Sequence, residues 1–160
     1  MKLIALKLEN FRGYQGENLI YIDSDLTGII GKNDAGKSTI LEALDIFFEN
    51  SSLDKSDKCV NCTEEDNISI TCIFDDIPTS LTLDATSVTT LQEEYLLNSE
   101  GYLEIKKTFR VNQKVSTDLC LLAKYPDNNG LDNLIILKNA DLKALFKTKG
   151  LVISQVQDQR

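Results

Sequence analysis

Apolar and polar positions alternate along the first residues of the chain. Ile4, Leu6 and Leu8 fall on one face of residues 2–9, and Lys7 and Glu9 on the other, the period of a half-buried strand. Asn10-Phe11-Arg12-Gly13 interrupts that run and predicts a turn, and residues 19–22 predict a second short strand. Residues 26–30, Leu-Thr-Gly-Ile-Ile, are nearly all apolar, as expected of a strand covered on both faces in an α/β core. After Gly36 the period changes. Ile40, Leu41, Leu44, Phe47 and Phe48 make one stripe of a helix over about residues 37–49, which Asn50-Ser51-Ser52 ends.

Residues 51–67 are polar and charged without a period, and read as a loop or insertion. Ile68, Ile70, Cys72 and Phe74 alternate with Ser69 and Thr71 as a strand, closed by Asp75-Asp76-Ile77-Pro78. Residues 92–97 predict a short helical piece, and residues 102–111 and 116–123 two more strands. Pro126-Asp127-Asn128-Asn129-Gly130 is a turn signal. Asn139 or Asp141 then caps a helix that ends near Gly150. The chain thus divides into strands, a glycine-rich loop and a helix (residues 1–50), a loop or insertion (51–67), an antiparallel meander (68–125), and a turn with a helical segment (126–160). The class is mixed α/β, with parallel core strands and an antiparallel β-subdomain.

Composition narrows the chemistry. The 160 residues carry a formal charge of −8, which argues against strong non-specific nucleic-acid binding by this segment, because such binding needs clustered Lys and Arg. A local patch can still touch nucleic acid. No apolar run approaches the roughly 18–20 residues that cross a bilayer, and lysines interrupt the N-terminal apolar stretch, so a cytoplasmic protein with no membrane partner is expected. The absence of histidine removes Ser-His-Asp chemistry and His-containing zinc sites. Of the four cysteines, Cys72 and Cys120 lie in apolar strand patterns and read as small buried hydrophobes. Cys59 and Cys62 form a C-x2-C pair without a second pair, and read as free thiols in a surface loop rather than as a metal site.

The chemistry-bearing segment is Gly31-Lys32-Asn33-Asp34-Ala35-Gly36-Lys37-Ser38, followed by Thr39. It matches G-x-x-x-x-G-K-[ST], with an apolar run directly before it and an amphipathic helix directly after. Each position has a physical duty. The glycines allow close backbone approach. Successive amides and the positive end of the helix make a concavity for phosphates. Lys37 is placed to reach the β- and γ-phosphates of ATP, and the Ser38 hydroxyl to bind Mg2+.

Hydrolysis needs further groups, namely an acidic strand end near the metal and a residue that positions water. Asp75 and Asp76 follow Ile73-Phe74 but come too soon after the helix, and read as a solvent-facing hairpin end. The guanine-reading N-K-x-D pattern is absent, which favours ATP over GTP. The phosphate grip is present, and a Walker B carboxylate is not identifiable.

At these residues the sequence resembles the N-terminal part of the ABC-type ATPase heads of the OLD, RecF and SMC groups. The opening Leu8-Glu9-Asn10-Phe11-Arg12-Gly13, the loop with Asn33-Asp34, and Ile40-Leu41-Glu42-Ala43-Leu44 carry the likeness. The Asn33-Asp34 pair leans toward the OLD group. The resemblance implies a P-loop ABC-head lobe in which Arg12 lies near the nucleotide and Asn33 helps set the γ-phosphate. It also implies a homodimer or higher oligomer through the heads, and a nuclease domain or partner acting on nucleic acid in phage defence. The signature motif and Walker B carboxylates would lie further along a longer protein. Gln155, Gln157 and Gln159 include a candidate for the family's loop glutamine, though a polar tail explains them as well. The alternatives are a stand-alone P-loop kinase or NTPase, a RecF- or SMC-like DNA-repair ATPase, and a module that holds nucleotide only as a structural ligand.

Overall fold

The computed structural model describes residues 1–33, 35–84, 87–112, 114–125 and 137–150. Two compact units emerge, Met1–Lys124 and Tyr125–Arg160. The first is built on a five-stranded sheet. The strands are β1 (Lys2–Phe11), β2 (Tyr14–Tyr21), β3 (Ile68–Asp75), β6 (Leu103–Val111) and β7 (Val115–Leu121), in the order β2-β1-β3-β6-β7. Every pairing among them is antiparallel, so the parallel core strands expected from the sequence are not found among the described residues. A two-stranded hairpin, β4 (Leu81–Asp84) with β5 (Ser87–Thr89), stands apart from this sheet.

Register explains the alternation in the sequence. Leu6 pairs with Cys72 and Leu8 with Ile70, while Cys72 faces Ile105 and Ile68 faces Phe109. Side chains alternate across a pleated strand, so one sheet face is a continuous apolar surface. Helix α1 (Lys37–Phe47) joins it through Ile40, Ala43, Ile46 and Phe47 in a single core cluster. The buried stripe is therefore rotated from the expected one: Leu41 and Phe48 are exposed. Ala43 is fully buried, and its small side chain suits a close approach of the helix to the sheet. Lys107 also falls on this face. Its ammonium lies 2.8 Å from Glu49 Oε1 and 5.5 Å from the centre of the Phe47 ring, which lets a long stem pack while the charge stays paired.

The other face is polar but not simply solvated. Lys7 donates to Glu104 at 2.7 Å, Asn98 donates to the second Glu104 oxygen at 2.9 Å, and Ser69 and Lys106 both donate to Glu9. Ser69, Thr71 and Glu104 are buried. Burial alone would raise the Glu104 carboxyl, but the Lys7 and Asn98 hydrogen bonds and the nearby ammonium charges outweigh it and hold it below its usual 4.5. The same contact with Glu104 raises Lys7 above its usual 10.5.

Several sequence expectations need correction. Residues 26–30 form no strand: Leu26 and Ile30 are 85% and 96% exposed, and Ile29 37%. An apolar run signals a demand for burial, but a strand exists only beside a partner, and no neighbouring strand reaches this one among the described residues. Residues 92–97 are a turn and not a helix. Leu96 N–H bonds to the Leu91 carbonyl at 2.9 Å, but Tyr95 sits at φ 55 and stops propagation. Cys120 is exposed, on the polar side of the terminal strand β7, whereas Cys72 is buried, with its thiol pushed up to about 12. Residues 51–67 are anchored rather than loose, with Leu53, Asp57 and Cys59 buried around a short 3-10 helix, Lys55–Asp57.

In the second unit, α2 spans Asn139–Thr148. Its N-cap position falls to Lys138 with no side-chain cap, and Gly150 follows its end at φ 69. The expected turn at residues 126–130 and the glutamines at 155, 157 and 159 lie outside the described residues.

Candidate functional site

The candidate site forms where the β1–β2 turn meets the start of α1. Asn10 interrupts β1 as a bulge at φ 56, and its side chain explains why the bulge is stable. It accepts from Gly16 N–H and from the Cys62 thiol, each at 3.0 Å, and donates to the Asn67 carbonyl at 3.1 Å. Phe11 is then fully buried, and Arg12, at φ 49, turns the chain through Gly13 into Tyr14. The expected turn is thus shorter than Asn10-Phe11-Arg12-Gly13, because Phe11 still pairs with Tyr14. Cys59 is buried and its N–H bonds to the Asn10 carbonyl at 3.0 Å. The C-x2-C pair therefore braces this turn instead of lying free on the surface. Among the described residues no cluster of metal-ligating side chains occurs.

The loop from Gly31 to α1 borders a cleft of about 810 Å³ lined by Gly13, Tyr14, Asn33 and residues 35–39. Gly36 takes the left-handed conformation, φ 78, which a side chain would strain. No side chain caps α1, and no acidic residue lies in its first turn. The first N–H groups of a helix lack intrahelical partners and carry partial positive charge, so this end suits an anion. The Lys37 ammonium donates to the carbonyls of Gly31 and Lys32 at 2.7 and 2.5 Å. It therefore lies back over the loop and borders the cleft. Ser38 is exposed at the cleft and Thr39 is half-buried beside it. Gly31 does not line the cleft, but a Cβ there would meet Ala35 Cβ at 3.4 Å. Asp34 lies outside the described residues. An amide-rich concavity, a cation and a hydroxyl together form a donor set that fits a polyphosphate with Mg2+.

Arg12, for which the resemblance implied a place near the nucleotide, directly precedes the cleft residue Gly13 and is engaged in ion pairs. Its guanidinium donates to Asp57 Oδ1 at 2.8 Å and pairs with Glu42 of α1, and its own N–H bonds to the Asp57 carbonyl at 2.7 Å. It is not among the groups that line the cleft. Asp75 and Asp76 sit at the opposite end of the sheet, where Asp75 pairs with Lys2 and Asp76 lies 3.6 Å from the N-terminal amine. With about 3.3 Å per strand residue, the length of β1 separates them from the cleft by roughly 30 Å. Tyr14 and Gly13 are cleft residues that sequence reasoning did not nominate. No motif marks them; only the pairing of β1 with β2 brings them to the loop.

The fold is mixed α/β and is similar to that of a solved SMC ATPase chain. A solved chain from work on the structural biochemistry of ATP-driven dimerization and DNA stimulated activation of SMC ATPases superposes with a TM-score of 0.50 at 13% identity. That match covers 98% of this chain and 86% of the other. The chain belongs to the AAA ATPase domain family, whose model matches residues 1–159. It is 42% identical over 43 residues to Structural maintenance of chromosomes protein 1 of Arabidopsis thaliana, and 44% over 43 residues to that of Schizosaccharomyces pombe. To chromosome partition protein Smc of Halobacteriovorax marinus it is 41% identical over 44 residues. These matches cover 27% to 28% of this chain and 4% of each relative. No described helix is long and apolar enough to cross a membrane.

Proposed function

We propose that this chain is the ATP-binding lobe of an SMC-like ATPase head. The carrying observation is the uncapped start of α1, with the Lys37 ammonium drawn over the loop beside a cleft that has room for a polyphosphate. In this reading the amides of residues 35–38 and the Lys37 ammonium grip the phosphates, with Gly31 and Gly36 giving the loop its close backbone. Asn33 helps set the γ-phosphate, Ser38 holds Mg2+, and Asp34 and Thr39 belong to the same nucleotide-binding segment by sequence. Mg2+ supplies charge neutralisation at the transferring phosphoryl group. Arg12 acts from one step back, tying the β1–β2 turn to α1 through Glu42.

ATP hydrolysis by the complete protein, head-to-head dimerisation with nucleotide between the heads, and a cytoplasmic setting follow as parts of the same proposal. They draw on the SMC ATPase neighbour, whose own description concerns ATP-driven dimerization. In the same proposal, residues 1–50, 51–67, 68–125 and 126–160 make up the four blocks of that lobe. The test is thermal denaturation of the complete protein with and without Mg-ATP. At 100 times Kd, binding adds about 2.7 kcal/mol, so a rise in Tm with Mg-ATP and none with adenosine is expected. An unchanged Tm contradicts the reading.

The OLD-like variant, coupling ATP state to a nuclease in phage defence, is favoured by one observation, the Asn33-Asp34 pair in the loop. Metal-dependent DNA cleavage that changes with ATP state would support it. DNA-stimulated ATP turnover without cleavage would support the RecF- or SMC-like reading. Turnover by the 160-residue chain alone would favour a stand-alone kinase or NTPase.

A further inference from the structure

We infer that Tyr14 is a positioning residue for the phosphate loop: its hydroxyl fixes the Gly36–Lys37 peptide so that the Lys37 N–H faces the cleft. The inference rests on the phosphate-grip reading above and adds to it a residue outside the loop.

Three observations carry it. The Tyr14 hydroxyl donates to the Gly36 carbonyl at 3.1 Å, across 22 positions of sequence. The ring is packed on Gly36, because a Cβ built there would lie 3.2 Å from Tyr14 Cε2 and from its hydroxyl. Tyr14 also lines the same cleft as residues 35–39. Burial raises the Tyr14 phenol above its usual 10.0, so it stays a protonated donor.

The consequence follows from peptide geometry. The Gly36 carbonyl and the Lys37 N–H belong to one planar trans unit and point in opposite directions. A hydroxyl that fixes the direction of the carbonyl therefore fixes that of the N–H as well. Gly36 needs such a restraint, since glycine at φ 78 has nothing of its own to keep it there. Tyr14 can provide it because the strained β1–β2 turn, fixed by Asn10 and Arg12, delivers it rigidly to the loop. A Cβ at position 36 would crowd the ring and require it to give by a few tenths of an ångström.

The test uses Tyr14→Phe in the complete protein, which keeps the ring and deletes the hydroxyl. Titration calorimetry is run with Mg-ATP and with inorganic triphosphate, and the Lys37 amide is followed in a 15N–1H spectrum without ligand. Loss of one hydrogen bond predicts affinity about three- to tenfold weaker for both ligands. The Lys37 amide should move while those of Leu8 and Ile70 stay in place, a pattern that general destabilisation does not produce. A loss under threefold overturns the inference, as does an unmoved Lys37 amide. Weakening for ATP but not for triphosphate also overturns it, because Tyr14 would then be touching the nucleoside. Lys37→Ala run in parallel separates the two levels. If it binds both ligands like the parent, the phosphate-grip reading itself fails. If it abolishes binding while Tyr14→Phe changes nothing, only the positioning role fails.

Discussion

Arg12 donates through Nε to Asp57 Oδ1 at 2.8 Å while its main-chain N–H meets the Asp57 carbonyl at 2.7 Å, so one residue of the 51–67 segment holds both parts of the β1–β2 turn. Asp57 is buried and its other oxygen accepts the Asp54 N–H at 2.8 Å. Removing the guanidinium leaves this carboxylate short of its charged partner. Arg12→Ala is expected to cost about 1–2 kcal/mol, within the range for hydrogen bonds to charged groups after allowance for the partial exposure of Arg12. Urea denaturation of the variant checks it. A midpoint equal to the parent's shows that the pairing contributes nothing.

The polar face of the sheet predicts a pH dependence. Glu104 titrates below its usual 4.5 in the folded protein, so its contribution is present above that value and is lost as pH falls through the folded pKa. Lys7 titrates above its usual 10.5, so its share is full below 10.5 and is lost only as pH rises through the raised value. The pair therefore stabilises between about pH 4.5 and 10.5. Glu104→Gln should lower Tm at pH 7 and flatten its decline between pH 5 and about pH 3. Parallel Tm curves for parent and variant over that range would refute the linkage.

The apolar face predicts a larger loss. Ile70 is fully buried and lies between Leu8 and Lys107 in the register of β1, β3 and β6. Ile70→Ala should cost about 2–5 kcal/mol, the range for deleting an aliphatic side chain from a packed core. Chemical denaturation measures it directly, and a loss below 1 kcal/mol would mean that the face is not the packed core described here.

These contrasts show what the sequence could and could not reveal. The alternation in residues 2–9 and 68–74 announced β1 and β3 because each has one apolar face, and a period of two is readable from one strand alone. The start of α1 was legible for a similar reason, since Gly36-Lys37-Ser38 marks a local geometry. The first five residues of β2, Tyr-Gln-Gly-Glu-Asn, are polar because the strand runs along the sheet edge, so composition hid it. Residues 26–30 misled in the opposite sense: their composition states a need for burial, but pairing is non-local. Tyr14 was invisible as a site residue because its role depends on a bond to Gly36 that only the turn at Arg12 creates.

Gly36→Ala combines both kinds of constraint. A Cβ would be strained at φ 78 and crowded 3.2 Å from the Tyr14 ring. The left-handed conformation costs a non-glycine residue about 1–2 kcal/mol, and the loop would relax away from it. Mg-ATP affinity should fall at least tenfold, with a far-UV circular dichroism spectrum like the parent's. Equilibrium dialysis with labelled ATP reads the affinity, and parent-like binding would show that the left-handed turn is dispensable.

The most direct measurement of the central claim is the calorimetric titration of Mg-ATP into the complete protein and into Lys37→Ala. The parent should bind at one site per chain, and the variant should show no saturable heat, because the only ammonium lining the cleft among the described residues has been removed. Equal affinity in both would contradict the claim that this loop and its lysine hold the phosphates.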